Sequence, residues 1–378
     1  MKPFDVYPLL DVEPVKASGC WLWDKDGNKY LDLYGGHAVI SIGHCHPHYI
    51  KKIEGQLERI GFYSNSVRIP LQDELAQKLG DLSGYSDYKL FLCNSGAEAN
   101  ENALKLASFY NGRKRIIAFT KAFHGRTSLA VAATDNQSIV APVNETENVL
   151  FLPFNDEAAL EKAMNDSVCA VIIEGMQGVG GVQVPTDSFL KKAKSLCEKY
   201  NAVLILDEVQ SGYGRSGKFF SHQYSGIKPD LITTAKGMGN GFPVGGVLIS
   251  PKFKEKHHML GTTFGGNHLA CAAAIAVLDV IKSENLMMNA KGIGDYMISA
   301  LRKITGVKEV RGRGLMIGIE LDFPYEAVRN ELIFIHRIFT GTSGKNVIRI
   351  LPPLTLSKEE AEIFLHAFAS VMKKLLVK

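Results

Sequence analysis

The stretch Ala202-Val-Leu-Ile-Leu-Asp207-Glu-Val-Gln210 governs how the whole chain is read, because an unbroken apolar run ends in it abruptly at two acids. A strand that is Val, Leu or Ile at every position is covered on both faces, as in a parallel sheet lined by helices. Asp207 then stands at a carboxyl end, the edge where open α/β sheets gather their chemistry. Asp230-Leu-Ile-Thr-Thr-Ala-Lys236-Gly237 repeats the design: a short β-branched run delivers Lys236 just before the turn-forming Gly237-Met-Gly-Asn-Gly241.

Outward from these two segments, short apolar runs alternate with longer amphipathic ones between Lys89 and Ser250. The runs are Leu90-Phe-Leu, Arg115 to Phe119, Cys169 to Ile173, Val203 to Leu206, Leu231 to Thr233 and Gly246 to Ile249. This alternation predicts an α/β fold with a mostly parallel central sheet covered by helices. Trp21-Leu-Trp-Asp-Lys-Asp-Gly-Asn-Lys-Tyr30 reads instead as a hairpin around an Asp-Gly turn. After about Asn285 the pattern is mixed, with a strand pair over Val310 to Glu320 and a closing amphipathic helix over Lys358 to Leu376. The expected division is an N-terminal segment 1–55, a large domain 56–284 and a C-terminal part 285–378, the two ends together building a smaller α+β domain.

Composition narrows the function classes. The 378 residues carry a net charge of only +4 with scattered Lys and Arg, so no nucleic-acid surface is implied. The basic run Lys252 to His258 reads as a solvated helix. Six cysteines without a CxxC pair suit a reducing compartment, and the N-terminus lacks an apolar signal stretch, so a cytoplasmic protein is expected. The longest apolar segment, Leu269 to Leu278, is too short to cross a bilayer and reads as a buried or interface helix.

Asp207 and Lys236 are thus an anion and an amine at two sheet ends. Pyridoxal phosphate needs such a pair: a lysine for its Schiff base and an anion to keep its ring nitrogen protonated. Singly, each residue is an ordinary turn cap or surface charge. Their surroundings add weight. Phe91-Leu-Cys-Asn-Ser-Gly-Ala-Glu-Ala-Asn100 runs from strand to helix through Ser95, with Glu98 at capping-box spacing, and the first-turn amides of Ser95, Gly96 and Ala97 form an anion site. Phe119-Thr-Lys-Ala-Phe-His-Gly-Arg126 offers Phe123 as a stacking face and Arg126 as a guanidinium for a carboxylate. An ordinary N-cap, a core Phe and a surface Arg are the plainer readings of the same residues.

Taken together, Asn94-Ser-Gly-Ala-Glu-Ala-Asn100, Phe123-His-Gly-Arg126, Asp207-Glu-Val-Gln-Ser-Gly-Tyr-Gly-Arg215, Lys236 and Thr262-Thr-Phe-Gly-Gly-Asn267 closely resemble the class III pyridoxal-phosphate aminotransferases of fold type I. The likeness runs from Tyr7 through Gly43-His-Cys-His-Pro47 to Arg349-Ile-Leu-Pro-Pro-Leu354, and the nearest branch is acetylornithine/succinylornithine aminotransferase. The resemblance implies that Ser95, Gly96 and Ala97 bind the phosphate, Phe123 stacks on the ring, Asp207 pairs with its nitrogen, and Gln210 bonds its hydroxyl. Val209 would pack under the ring, with Glu208 in the same cofactor-binding run. Lys236 would form the Schiff base and move the proton. Thr263 would reach the phosphate of the neighbouring subunit, giving a homodimer with shared sites. Arg126 and Arg349 would take substrate carboxylates, with Tyr7, Asn65, Glu174 and Thr262 around them. His37 stands where relatives carry Ile or Tyr.

The implied reaction moves the δ-amino group of an N-acylated ornithine to 2-oxoglutarate, giving glutamate and an N-acylglutamate semialdehyde, as in arginine biosynthesis. Ornithine, 4-aminobutyrate or acyl-lysine donors would share every cofactor residue, and a pyridoxal-phosphate 1,2-aminomutase would need no 2-oxoglutarate. One departure bears on the donor. The family loop Glu-Pro-x-Gln-Gly-Glu-Gly-Gly appears as Glu174-Gly-Met-Gln-Gly-Val-Gly-Gly181, so Val179 replaces the glutamate that in relatives pairs with the arginine at Arg349. An uncompensated guanidinium favours an anionic group in both half-reactions, which would suit a succinyl donor. The plainer reading is that Val179 fills space and Arg349 is solvated, so the acyl group stays open between acetyl and succinyl. Gly43-His-Cys-His-Pro-His48 lacks zinc spacing, so no metal is expected.

Overall fold

The computed structural model describes residues 1–376. Its centre is a seven-stranded sheet built, in chain order, from β4 (Lys89–Cys93), β5 (Arg115–Phe119), β6 (Val149–Leu152), β7 (Val168–Glu174), β8 (Val203–Asp207), β9 (Leu231–Thr234) and β10 (Gly245–Ile249). The spatial order is β4-β10-β9-β8-β7-β5-β6. Pairings from β6 across to β9 are parallel, whereas β10 is antiparallel to both β9 and β4.

The runs expected as strands form strands, with two differences. β10 reverses direction because only residues 235–244 separate it from β9, too short a span for a parallel crossover. β4 is reversed again relative to β10, so six strands share one direction and their carboxyl ends share one edge. The second difference is β6, an edge strand that the sequence reading passes over; its four residues Val-Leu-Phe-Leu are too few to show a period. Residues 252–258 form turns rather than a helix, since Phe253 alone is buried there and gives no apolar face to dock.

The all-apolar strands are covered on both faces. Val203 and Ile205 pack with Ala99, Ala103, Leu104 and Ala107 of helix Gly96–Asn111. Leu204 and Leu206 pack on the opposite face with Phe189, Leu190, Ala193 and Cys197 of helix Asp187–Lys199. The period of two sends alternate side chains to opposite layers, and both layers are apolar. Helix His268–Ser283 is buried along nearly its whole length and the described helices include none long and apolar enough to cross a membrane.

The chain ends meet. β1 (Pro14–Ser18), β2 (Trp21–Asp24) and β3 (Lys29–Asp32) form the hairpin sheet, and β3 pairs in parallel with β13 (Ile338–Phe339) from the C-terminal part. β11 (Val307–Arg313), β12 (Met316–Leu321), β15 (Val347–Ile350) and β14 (Gly341–Ser343) make a third sheet, with helix Lys358–Leu376 closing the chain.

Gly245 ties this frame to the site. A Cβ there would lie 2.8 Å from the Ser95 carbonyl oxygen and 3.1 Å from that of Thr234, both backbone. Gly245→Ala should therefore cost about 1–3 kcal/mol in chemical denaturation. Gly292→Ala, in helix Leu286–Leu301 with nothing near its Cβ position, should stabilise by about 0.5–1 kcal/mol.

Candidate active site

The shared carboxyl edge opens into a cavity of about 440 Å³ lined by Ser95, Gly96, Ala97, Phe123, Arg126, Glu174, Val179, Asp207, Val209, Gln210 and Lys236 among others. They come from the ends of several different strands, which is why residues far apart in sequence converge.

Helix Gly96–Asn111 starts at the mouth of β4. Ser95 Oγ accepts from the Glu98 amide at 3.2 Å, and the Glu98 carboxylate accepts from the Asn94 amide at 2.5 Å, so the capping box closes one residue further back than its usual form. The amides of Gly96 and Ala97, first-turn donors without an intrahelical acceptor, remain for an anion. Gly96 has no room for a side chain, since a Cβ would stand 2.6 Å from Val209 Cγ1.

Asp207 is 4% exposed, and each of its partners is a donor. Oδ2 accepts from Asn100 Nδ2 at 2.7 Å and lies 2.8 Å from His124 Nδ1, while Oδ1 accepts from the Val209 amide at 3.0 Å. Asn100 is itself fixed by Thr233 Oγ1 at 2.6 Å. Neither Asn100 nor His124 stands out in the sequence, although both lie inside the motifs around Ser95 and Phe123; a buried aspartate's need for donors is the signal that singles them out.

Lys236 follows β9 with a left-handed φ of 46°, and its Nζ forms no hydrogen bond or ion pair among the described residues. Burial lowers its pKa below the usual lysine range and Arg349 adds to this, while Asp207 and Glu174 pull the other way. A lysine so placed has more of the neutral amine that acts as a nucleophile. Glu174 is the counterpart: burial, with Asp207 beside it, pushes its carboxyl up to about 7. Its two oxygens accept from the amides of Phe123 and Gly178, both at 3.0 Å, clamping the Phe123 loop to the loop that carries Val179.

The chain's sequence fits the pattern of class-III aminotransferases over residues 5–372. The chain belongs to the class-III aminotransferases. Acetylornithine aminotransferases of Nitrosomonas europaea and Bacillus subtilis are each 40% identical to it, aligned over 95% and 94% of this chain and 94% of each relative. Among solved structures, the ornithine aminotransferase of Toxoplasma gondii superposes with a TM-score of 0.92 at 29% identity over 97% of this chain and 92% of that one. The acetylornithine aminotransferase of Elizabethkingia anophelis gives 0.85 at 28% over 97% and 95%.

This aminotransferase is accordingly a pyridoxal-phosphate enzyme of fold type I. The cavity fits that cofactor on four independent features: the amides at Gly96 and Ala97, the half-buried Phe123 face, and, among the described residues, the unpaired Lys236 amine and two buried atoms without partners, Gln210 Oε1 and His124 Nε2.

Other expected site residues fall elsewhere. Glu208 turns away from the cavity and is consumed by Ser211 Oγ at 2.6 Å, the amides of Ser221 and His222, and His222 Nδ1 at 2.7 Å; one residue along an extended chain reverses the side chain. Tyr7 is 70% exposed and, like Thr263 and Asn65, lies outside the lining of a single chain. Asn65 Nδ2 donates to the carbonyls of Thr262 and Gly265, and Thr262 Oγ1 accepts from Asn94 Nδ2 at 3.3 Å. Arg349 is 5% exposed and also behind the lining: Nε donates to Thr342 O at 2.9 Å, Nη2 to Tyr34 Oη at 3.4 Å, and Nη1 is buried without a partner among the described residues. The histidines of Gly43 to His48 diverge to Asp32, Glu284 and Asp279 at 2.8, 2.9 and 3.2 Å.

The raised Glu174 pKa sets a stability profile. Its folded value of about 7 exceeds its ordinary 4.5, so its contribution is complete below about pH 4.5 and is lost as pH rises through 7. In the cofactor-free protein, the stability difference between wild type and Glu174→Gln should fall by on the order of 3 kcal/mol across that window, read by denaturation at successive pH values.

Proposed function

We propose that this aminotransferase moves the δ-amino group of an N-acylated ornithine to 2-oxoglutarate, in two half-reactions, with N-acetylornithine as the donor. The reading is carried by the buried Arg349 Nη1 without a partner beside the Lys236 cavity, a site that calls for a carboxylate. The name shared by the curated relatives supports the acetylated donor. Among the described residues Arg349 has no carboxylate in an ion pair, and this favours succinylornithine as the second reading.

Pyridoxal phosphate, when bound, supplies an aldehyde that condenses with amines and a protonated ring that draws electrons from the reacting carbon. The chain's residues do the rest. The Gly96 and Ala97 amides hold the phosphate, Phe123 and Val209 enclose the ring, and Asp207, fixed by Asn100 and His124, holds the proton on the ring nitrogen. Lys236 Nζ moves the proton between substrate carbon and its acceptor. Arg126 at the cavity mouth and Arg349 behind it take carboxylates.

The same proposal includes a cytoplasmic homodimer in which Thr263, exposed in one chain, serves the neighbouring site, with Tyr7 and Asn65 at the entrance. It divides the chain into 1–55, 56–284 and 285–378, a division supported by the pairing of β3 with β13.

A donor panel with 2-oxoglutarate tests the reading: glutamate should form fastest from acetylornithine, with ornithine and acetyllysine at least tenfold slower, roughly the discrimination that one lost pocket contact gives. A clear preference for succinylornithine would establish the second reading. Lys236→Ala should abolish turnover and leave no cofactor attached after borohydride reduction, by protein mass; an attached cofactor would place the Schiff base on another lysine.

A further inference from the structure

Between β3 and the rest of the N-terminal segment the backbone does something unusual. Gly35, Gly36, His37 and Ala38 have φ of 55°, 54°, 66° and 65°, a left-handed turn in which two residues are not glycine. L side chains avoid this region, so the turn persists only because its surroundings impose it, and such enforced turns cluster at functional sites. Its ends are anchored: the Gly35 amide donates to Asp32 Oδ1 at 2.8 Å, and Gly35 O accepts from the Val39 and Ile40 amides.

The turn brings His37 onto Tyr34. The ring centroids are 4.8 Å apart and Nδ1 lies 2.5 Å from Tyr34 Oη. Tyr34 Oη in turn lies 3.4 Å from Arg349 Nη2, with the guanidinium 5.9 Å from the phenol ring. A guanidinium only donates, so the Tyr34 oxygen accepts from Arg349 and its own hydrogen is free for His37 Nδ1. With the Tyr34 hydrogen directed at it, Nδ1 acts as the acceptor of a neutral imidazole. The residue is solvent-exposed, yet partial desolvation and the charges of Lys236 and Arg349 hold the His37 pKa below its ordinary value, which favours the neutral form. The phenol has a fitted seat, since a Cβ on Gly341 would fall 2.2 Å from Tyr34 Cε2. Gln210 Nε2 donates to the His37 carbonyl at 3.2 Å and joins the group to the cavity wall.

We infer that Tyr34 and His37 are positioning residues for the substrate carboxylate: His37 orients the Tyr34 hydroxyl, and Tyr34 holds Arg349 so that its unpartnered Nη1 meets the carboxylate. A phenol thereby does what a carboxylate counter-ion would do, without neutralising the guanidinium. This rests on the reading that Arg349 binds the substrate carboxylate.

The test uses the cofactor-loaded enzyme and glutarate, a dicarboxylate with neither amine nor keto group, titrated by calorimetry, alongside KM and kcat for 2-oxoglutarate. Tyr34→Phe and His37→Ala should each weaken glutarate binding and raise KM by on the order of tenfold, the loss of one hydrogen bond serving a charged group, with kcat within about twofold. His37→Asn should restore both, because Asn Oδ1 occupies the place of Nδ1 as an acceptor and Asn tolerates a left-handed φ. Arg349→Met should abolish glutarate binding. If Arg349→Met binds glutarate like wild type, the reading of Arg349 fails and this inference with it. If Arg349→Met loses binding but Tyr34→Phe and His37→Ala leave it within about twofold, the inference alone is overturned. It is overturned equally if kcat falls with KM unchanged, or if His37→Asn behaves as His37→Ala.

Discussion

A carboxylate taken out of water must be given donors, and the three that Asp207 collects organise the site. Asn100 belongs to the helix that begins at Gly96, His124 to the loop that carries Phe123, and the Val209 amide to the strand's own exit. One buried charge therefore fixes three elements relative to each other. Thr233 extends the network by holding Asn100, so β9, which delivers Lys236, is tied into it as well. The cost of leaving Asp207 unpaired is what makes the arrangement rigid before any ligand arrives.

Around that anchor the charges are arranged in opposition. Lys236 is disfavoured as a cation by burial and by Arg349, and favoured by Asp207 and Glu174. Glu174 is disfavoured as an anion by burial and by Asp207. Two groups of opposite type are thus pushed toward the range where protons exchange readily, as a site that moves a proton requires. Arg349 stands apart, its charge answered by a phenol and a carbonyl oxygen, with Nη1 left without a partner among the described residues.

The direction of β10 shows how connection length shapes topology. The apolar run Gly246 to Ile249 announces a strand, but a run of side chains carries no sign of polarity, and only the short link from β9 reverses it. The reversal is what places Gly245 against Ser95, at the same edge as the carboxyl ends of the other strands.

The unbroken apolar character of Val203 to Leu206 and the β-branched run before Lys236 show a helix-covered sheet and put Asp207 and Lys236 at strand ends, because period and composition report burial and strand ends directly. That Gly96, Ala97 and Phe123 share a site with them came from the chemistry of one cofactor and the resemblance to a family, and the cavity brings all five together. Asn100, His124 and the Tyr34–His37–Arg349 chain were not legible in that way. A hydrogen-bond partner is chosen by position in space, and residues separated by 83 or 315 places in the chain meet only after the sheet order and the left-handed turn have been formed. The same holds for Glu208, whose neighbourhood to Asp207 in sequence says nothing of the cavity, since the extended backbone sends it to the other side. Local pattern specifies which segments are strands and where they stop; the packing of those segments specifies which side chains share a hydrogen bond.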